Sequence, residues 1–480
     1  MKKIVLILSL ATLLTSCSIY KKYSRPEEIT TDNLYGNIER ADTITMADVS
    51  WRDFFTDPYL QKYIEQALKN NIDMHLTAER IKQAEISLQA AKLAFIPSFG
   101  VSPNFKYSTP NTFSYTVPVT ASWEVDIMGR NLNAKRSAAA SLEQKKLYRR
   151  SVQTALVASV ANAYYTLLML DAQLMVSRST SKSWKENVRT MKAMKDAGMT
   201  NAASISQTEA NSCSIDTSLY DLEYKLTKAQ NSFALLLGVT PQDFPRGMLN
   251  GVDFKQELFV GVPAQLLSRR PDIQEAEYNL HLAFYNTNIA RANLYPSLTI
   301  TGEAGWAQAL SSPGGFFLTL AGKLTQPIFN AGKNRANLKI AESQQREAIL
   351  TFQHKLLEAG NEVNTALAQC HAARSKTNLR IRQVETLESA VYSTRQLMSH
   401  SEATYLEVLT AQQSLLSARL QQISDRFEGI QGVINLYRAL GGGVDSSTDI
   451  EPTKNPIFKC EKKAKKQKKE AQSETPATAN

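Results

Sequence analysis

The sequence predicts an α+β membrane protein, in which strands from several copies of the chain close one β-barrel and long helices continue it as a coiled-coil tube. Three observations predict this fold. Four short stretches alternate apolar and polar residues, a very long helical run follows each pair of them, and the second half of the chain repeats the order of elements in the first. Strands with one apolar and one polar face are what a transmembrane barrel requires.

The N-terminus carries the features of a bacterial export signal. Lys2 and Lys3 form a positive region, and residues 4–14 form an apolar stretch that is too short to span a membrane as a mature helix. The stretch ends in Leu-Thr-Ser-Cys, which resembles the lipobox of bacterial lipoproteins, so cleavage before Cys17 and acylation of its thiol and new amino group are expected. No cofactor is predicted besides this covalent lipid, and a cysteine placed there by chance is the alternative.

Two β-hairpins are predicted, at residues 98–127 and 297–326. Successive side chains of a strand point to opposite faces, and in each of the four predicted strands one set is apolar and the other is polar. Ser122, Glu124 and Asp126 belong to the polar set of the first hairpin, so they are predicted to face the lumen of a barrel. An ordinary antiparallel sheet with one solvated face has the same periodicity and is the alternative.

Two helices of unusual length are predicted, one after each hairpin. The segment from residue 131 to about residue 197 contains neither proline nor glycine, and the segment from residue 333 to about residue 398 is broken only by Gly360. At about 1.5 Å per residue, each helix would extend on the order of 100 Å. Apolar residues recur in both at alternate steps of four and three, which is typical of coiled-coil packing. A soluble helical bundle or filament is the alternative.

The chain reads as two copies of one design. The Pro-Ser pair at residue 97 recurs at residue 296, an offset of 199, and the Gly-Arg pair at residue 129 recurs as Gly-Lys at residue 332, an offset of 203. The predicted order is a signal peptide at 1–16, a lipidated N-terminal segment at 17–57, a first repeat at 58–240, a linker at 241–261, a second repeat at 262–443 and a basic disordered tail at 444–480.

The composition excludes several functions. The net charge of +10 lies partly in a lysine-rich tail that lacks the interleaved aromatic residues of a nucleic-acid-binding segment, so no nucleic-acid partner is predicted. The four cysteines and five histidines show no zinc or catalytic spacing, and no nucleophile or phosphate-binding motif is present. The chain is therefore predicted not to be an enzyme. No stretch after the signal is long and apolar enough for a transmembrane helix.

The strands and helices together predict an assembly. Four strands cannot close a barrel, since the smallest membrane barrels need about eight. An open sheet edge is not tolerated in lipid, so the chain must share its strands with copies of itself. The helices fused to the strand ends must then continue the barrel as a tube.

Five spaced motifs resemble those of the outer-membrane efflux lipoproteins, the TolC-like outer-membrane factors of RND-type tripartite pumps. They are WRDFFTDPYL from residue 51, ALKNNID from residue 67, SWEVDIMGR from residue 122, VPAQLLSRRPDI from residue 262 and LYRALGGG from residue 436. The resemblance covers roughly residues 17–444. It implies a homotrimer with a twelve-stranded barrel in the outer membrane, whose periplasmic helices dock on an adaptor protein and an inner-membrane RND transporter.

The two helix turns at the far ends from the strands are predicted to form the periplasmic gate and the adaptor-docking surface, because helices of this length carry them deep into the periplasm. Small residues in these turns would let partner helices approach. The predicted gate and tip residues are Gly198, Thr200, Ser204, Ser401, Tyr405 and Thr410. The family often has an aspartate where this chain has Thr410, so closure is expected to depend more on packing and hydrogen bonds than on a ring of charges.

The predicted function is a passive outer-membrane channel of a tripartite efflux pump. A structural coiled-coil lipoprotein that spans the envelope is one alternative, and a surface hydrolase without any recognisable catalytic constellation is another. Met191, Met194 and Met199 near one tip raise metal-ion efflux as an alternative substrate class, although methionines at helical spacing are more often packing residues. Arg269 and Arg270 precede a helix start and are predicted to anchor it rather than to catalyse.

Overall fold

The computed structural model describes residues 20, 23–27, 29–31, 34–35, 45–108, 112–252, 260–309, 312–400 and 404–443. Within these residues the protein combines long helices with one small sheet, which confirms the α+β prediction. The long helices are α1 (Pro58–Asn70), α2 (Ile72–Leu93), α3 (Arg130–Asp196), α4 (Ala202–Leu237), α5 (Pro271–Ala292), α6 (Lys333–Ser399) and α7 (Tyr405–Ala439). The strands are β1 (Ser98–Val101), β2 (Asn104–Ser108), β3 (Thr112–Val125), β4 (Ser297–Ala309) and β5 (Ser312–Thr325). The predictions for Cys17, for Ser401 and for the tail at 444–480 lie outside the described residues.

The strands form one antiparallel sheet in the order β1–β3–β4–β5, with β2 also beside β3. The two predicted hairpins meet where β3 pairs with β4, from Ser114 opposite Ala309 to Val125 opposite Leu298. β5 then pairs with β4 along nearly its whole length. One chain therefore contributes a continuous antiparallel sheet. Because β1 and β2 follow each other along the same side of β3, we count them together as one strand, the β1/β2 line.

The first strand of the first hairpin is split in two, which the alternation alone did not predict. β1 ends at Val101, and β2 resumes at Asn104 in the same register against β3. Pro103 lies in the gap and Pro118 lies in the facing stretch of β3, and neither has a backbone N–H to donate to the ladder. The Ser102 N–H still donates to the carbonyl of Pro118 at 3.3 Å, so the register is kept across the gap.

The two long helices have the same length. α3 and α6 contain 67 residues each, which corresponds to about 100 Å of helix at 1.5 Å per residue. Gly360 does not interrupt α6, contrary to the break expected there. A Cβ atom at Gly360 would lie 2.6 Å from the carbonyl oxygen of Leu34, so glycine permits the close approach of another backbone to the helix.

The chain forms two compact units, and each draws on both predicted repeats. The described residues of the first unit, which contains the sheet, fall within Met1–Thr31, Glu79–Tyr148 and Asp272–Leu357. Those of the second unit fall within Asp32–Ala78, Arg149–Pro271 and Glu358–Asn480. The units cut across the repeats because α3 and α6 each begin in the first unit and continue into the second.

A buried polar contact joins α3 to α5 in the first unit. Asn133 and Asn288 are almost fully buried, and the Asn288 amide donates to Asn133 Oδ1 at 3.5 Å, while the Asn133 amide donates to the carbonyl of Gly129 at 2.7 Å. Further along the same helices, Gln144 Nε2 donates to Glu275 Oε1 at 2.7 Å. Burial raises the pKa of Glu275 above its usual value, and the hydrogen bond from Gln144 only partly offsets it.

The core of the second unit is built around buried aromatic rings and one tyrosine hydroxyl. Tyr164 is fully buried, and its hydroxyl donates to Asp57 Oδ2 at 2.6 Å and accepts from the Gly247 N–H at 3.2 Å. Asp57 Oδ1 also accepts the Tyr59 N–H at 2.8 Å, so the same carboxylate caps the start of α1. The Tyr164 hydroxyl thus connects the residue that caps α1 with the segment that follows α4.

One helix among the described residues, α3, is apolar enough over 18 residues to resemble a membrane span, with a mean hydropathy of 1.3. The sequence prediction did not find this stretch, because charged and polar residues interrupt it. Leu156, Val160 and Leu167 on this helix are buried in the second unit, and 56% of the stretch is buried within the protein. We therefore assign it to the core.

Candidate functional site: the sheet faces and the helix tips

The apolar face of the sheet is exposed. Phe99 is 76% exposed on β1, Val119 is 49% exposed in the middle of β3, and Leu318 is 75% exposed in the middle of β5. In a soluble protein the apolar face of a sheet is the buried face, so this arrangement is the reverse of an ordinary half-solvated sheet. It is the arrangement that a strand in a transmembrane barrel requires.

Aromatic side chains gather at both ends of this exposed face. Trp123 lies near one end and donates from its indole nitrogen to the carbonyl of Phe95 at 3.0 Å. At the hairpin end, the Tyr115 hydroxyl donates to Gln308 Oε1 at 2.8 Å, and its ring centroid lies 6.4 Å from that of Phe113. Tyrosine and tryptophan with an apolar ring and a hydrogen-bonded polar group are typical of the girdles at membrane interfaces.

The opposite face of the sheet is polar, and on β3 its side chains are less exposed than those of the apolar face, whereas on β1 and β5 both faces are exposed. Ser122 stands opposite Ser98 on one side and Thr301 on the other, so hydroxyl-bearing residues meet across three strands. Glu124 lies on the same face, and its carboxylate accepts from Arg130 at 2.5 Å. Ser122 and Glu124 therefore lie on the face opposite the exposed apolar residues, and their placement in a lumen stays a prediction.

Asp126 lies beyond the strand, because β3 ends at Val125 although the alternation continues to residue 127. Its two carboxylate oxygens accept the backbone N–H groups of Asn131 and Leu132 at 3.0 and 2.7 Å. These N–H groups belong to the first turn of α3, where a helix leaves its donors unsatisfied and favours negative charge. Asp126 thus fixes the turn from strand to helix. Its position ahead of a helix start was the available signal for this role.

The turn between α3 and α4 contains the first set of predicted tip residues. Gly198 has a φ of +71°, which favours glycine, and a Cβ atom there would meet no atom within 4 Å. Thr200 follows in the turn, and Asn201 caps α4 by accepting the backbone N–H of Ser204 at 2.9 Å. The Ser204 hydroxyl also bonds to Asn201 Oδ1 at 3.1 Å, so Ser204 completes a cap.

The turn between α6 and α7 contains the second set. Glu407 Oε1 accepts the Thr404 N–H at 3.4 Å, which forms a capping box at the start of α7. Thr410 is exposed, and its hydroxyl donates to the carbonyl of Leu406 at 2.8 Å within the same helix. The hydroxyl that replaces the family's frequent carboxylate is therefore already satisfied by its own helix.

A hydrophobic cluster joins α3, α4 and α7 close to these turns. Trp184, Ile215 and Leu409 are buried together, and Tyr405 and Leu416 pack against them. The sequence reasoning placed Tyr405 at the tip but missed Trp184, because the cluster joins residues more than two hundred positions apart. No residue-to-residue spacing reports such a contact.

Two polar groups in this tip cluster are buried without a hydrogen-bond partner among the described residues, Trp184 Nε1 and the Tyr405 hydroxyl. Burial raises the pKa of Tyr405 to about 12, so the phenol stays neutral at physiological pH. Close by, the amide of Asn187 donates to Gln412 Oε1 at 2.8 Å and links α3 to α7. Between the described residues of α3 and α7 at this point, packing and neutral hydrogen bonds make the contact.

Among the remaining candidates from the sequence, Arg270 makes contacts within the fold, and the methionines are spread over different surroundings. Arg270 is 7% exposed and donates to Glu362 at 2.7 Å and to the carbonyl of Ala439 at 3.0 Å, which anchors the end of α7. Met191 is fully buried whereas Met199 is 70% exposed, so these two methionines do not share one surface. Among the described residues no group of histidine, cysteine, aspartate or glutamate could hold a metal ion.

The segment after the predicted lipid site is fastened to the first unit. The Tyr20 hydroxyl donates to the carbonyl of Met128, next to the turn between β3 and α3. Arg25 forms a bidentate ion pair with Glu277 on α5, at 2.8 Å from Nε and 2.7 Å from Nη2. Cys17 itself lies outside the described residues.

Comparison with known proteins shows what the chain is similar to. The family model described as "Outer membrane efflux protein" matches residues 63–239 and again residues 262–442. The chain is 29% identical to the cation efflux system protein CusC of Escherichia coli K12, covering 90% of this chain and 98% of that relative. It is 30% identical to the antibiotic efflux pump outer membrane protein ArpC of Pseudomonas putida, covering 90% and 94%. A solved CusC structure matches with a TM-score of 0.78 at 26% identity, covering 89% of this chain and 100% of that chain.

Proposed function

The chain belongs to the outer membrane efflux protein family, and on this premise we propose that three copies form the passive exit duct of a tripartite efflux pump. The family consists of efflux channels of the outer membrane and not of enzymes. In the proposal, the sheet of each copy contributes to one barrel, and the long helices continue that barrel as a periplasmic tunnel.

The exposed apolar face of the sheet carries this proposal. Side chains such as Phe99, Val119 and Leu318 are left uncovered by the chain itself, and lipid is the environment that suits a continuous apolar band rimmed by aromatic residues. The polar face with Ser122 and Glu124 then lines water. A structural tether between envelope layers would not need such a polar strand face.

The strand count is compatible with three copies. With β1 and β2 taken as one line, each chain supplies four strands, and two edges of its sheet are unpaired among the described residues. Three copies give twelve strands, an even number as expected for an antiparallel membrane barrel, and closure removes every edge. The homotrimer itself is implied by the family resemblance, and this count is compatible with it.

We assign the helix tips to the partners. In the proposed orientation α3 and α6 carry the turn with Gly198 and the turn that precedes Thr404 away from the membrane, where a periplasmic adaptor and an inner-membrane RND transporter would meet them. The neutral cluster of Trp184 and Tyr405 would hold the tips together in the closed state. Opening would then require separation of packed side chains rather than the breaking of a charge ring.

Membership of the family does not identify the substrate that is exported. The relatives are named for cations and for antibiotics at nearly equal identity. Metal-ion efflux remains the alternative substrate class, and the separate placement of Met191 and Met199 lends it no support. We therefore assign the choice of cargo to the transporter, and propose that this chain supplies the route and a lipid anchor at Cys17.

Conductance of the purified protein in planar lipid bilayers tests the proposed duct. The double variant Trp184→Ala and Tyr405→Ala removes the packing that holds the tips, and we expect a larger stable current per channel than in the unmodified protein. Tyr220→Ala is the control, because Tyr220 is 73% exposed on α4 and away from the tip cluster. Absence of any current from intact oligomers of both the unmodified protein and the double variant would overturn the proposal.

A further inference from the structure

The sheet of one chain has two edges that no described strand covers, the outer side of β5 and the outer side of the β1/β2 line. Building on the proposed trimer, we propose that these edges pair between copies in one defined register, with Thr325 opposite Ser102 of the partner subunit. The direction is compatible, because strands alternate along β1–β3–β4–β5 and the next β1 would again run antiparallel to β5.

The contact between the two hairpins of one chain is the template for this register. There β3, the last strand of the first hairpin, pairs with β4, the first strand of the second, and Ser122 stands opposite Thr301. Adding the repeat offset of 203 to Ser122 gives Thr325, and subtracting the offset of 199 from Thr301 gives Ser102. The contact between copies is then the same contact with the two halves exchanged.

The equivalence of the halves has support beyond these sequence offsets. α3 and α6 have 67 residues each, α2 and α5 have 22 each, and α4 and α7 have 36 and 35. The same family model matches each half separately. Equal elements in the same order make it reasonable to transfer the register from one junction to the other.

The faces of the strands provide an independent test of the register. A slip by one residue would place every apolar side chain of β5 opposite a polar one, because strand side chains alternate with period two. The proposed register keeps like with like: Thr325 meets Ser102, Lys323 meets Asn104, Leu324 meets Pro103 and Gly322 meets Phe105. The two repeat offsets come from residues outside these pairs, so the match between apolar and polar faces is an independent result.

Exposed apolar residues just beyond β5 fit the same contact. Ile328 is 95% exposed and Phe329 is 88% exposed, an unusual state for large apolar side chains. The same arithmetic places Ile328 opposite Phe99 of the partner subunit, and Phe99 is 76% exposed in the single chain. Their counterparts within one chain, Val125 and Leu298, stand opposite each other and are only partly exposed.

Disulfide trapping in the full-length protein, in isolated outer membranes, tests the register. The background carries Cys213→Ser, Cys370→Ala and Cys460→Ser, and keeps Cys17 for lipidation. In it, Thr325→Cys with Ser102→Cys should give covalent two-chain and three-chain species on oxidation. Facing residues lie within the 4.4–6.8 Å Cα separation that a disulfide accepts, whereas within one chain the two strands are about 14 Å apart.

Two control pairs test a slip of two residues, which preserves the faces. Thr325→Cys is combined with Gly100→Cys or with Asn104→Cys, and each pair would then be about 8 Å apart, too far for a disulfide without backbone movement. We expect at least about a fivefold lower yield from both. Ser122→Cys with Thr301→Cys, which face each other within one chain, controls for access of the oxidant.

The outcomes separate the register from the duct. Stronger cross-linking of either slipped pair than of the Thr325–Ser102 pair would overturn the register and leave the trimer intact. No cross-link between chains from any of the three pairs, with the intrachain control formed, would also overturn it. Native mass spectrometry of the same sample then decides whether the trimer fails as well, since three chains per particle would retain it and a single chain would not.

Discussion

An arginine in the middle of the exposed apolar face should destabilise the protein in a membrane, and an arginine one residue further along should not. Leu318 lies at the middle of β5 with 75% of its side chain exposed, and Thr319 is its neighbour on the polar face. Arginine at the bilayer midplane of a barrel costs about 2–4 kcal/mol. Loss of the leucine side chain from lipid adds about 1–2 kcal/mol, three quarters of the transfer energy of a buried leucine.

Leu318→Arg is therefore expected to lower the free energy of unfolding by about 3–6 kcal/mol per copy. Thr319→Arg is the matched control, because Thr319 stands opposite Glu303, and an arginine there would face water and a carboxylate. We expect this control to stay within about 0.5 kcal/mol of the unmodified protein, as is usual for surface substitutions. Urea unfolding in phospholipid vesicles, followed by tryptophan fluorescence, measures both.

Equal stability of the two variants would refute the assignment of the apolar face to lipid. A larger loss for Thr319→Arg than for Leu318→Arg would show that the faces are reversed. A denaturation midpoint that shifts without a change in slope would tie the effect to stability rather than to a change of the unfolded state.

Three further predictions concern the rest of the chain. Tyr164→Phe should cost about 1–3 kcal/mol in chemical denaturation, because it removes the hydrogen bonds that the hydroxyl of this buried residue makes with the Asp57 carboxylate and the Gly247 N–H, and a loss under about 0.5 kcal/mol would contradict that role. The raised pKa of Glu275 means that its contribution to stability is full below its unfolded pKa and is lost as pH rises through its folded pKa. Glu275→Gln should therefore raise the melting temperature at pH 7 more than at pH 4, and an equal shift at both would count against it. Cys17→Ala should abolish acylation, and an unmodified Cys17 in the mature protein by mass spectrometry would reject the lipid anchor.

Periodicity predicted the strands well, because a strand with one apolar face and one polar face must alternate apolar and polar residues along its sequence. It could not predict the gap after Val101, since Pro103 preserves the alternation while removing a backbone donor. It also carried β3 too far, because Asp126 keeps the polar phase of the strand but serves as a helix cap. The long helices were predictable from the absence of proline, and Gly360 was misread because its close contact with Leu34 involves a distant part of the chain.

The tip was only partly predictable. Turn residues such as Gly198 can be predicted from their residue type, and the structure places Gly198 at a positive φ. The packing of Trp184 against Leu409 joins two helices from different halves of the chain. The spacing of residues in a single sequence cannot predict such a contact. The same limit applies to the link between Asn187 and Gln412. Local chemistry can be read from sequence, whereas contacts between distant helices need the fold.

The number of copies in one particle tests the central claim most directly. Native mass spectrometry of the full-length protein, extracted from outer membranes and held in lipid nanodiscs, counts the chains in each particle. We expect three mature chains and no free monomer, because four strands from each copy close one twelve-stranded barrel. A stable particle with one or two chains, or with four, would contradict it, since the exposed sheet edges would then need another explanation.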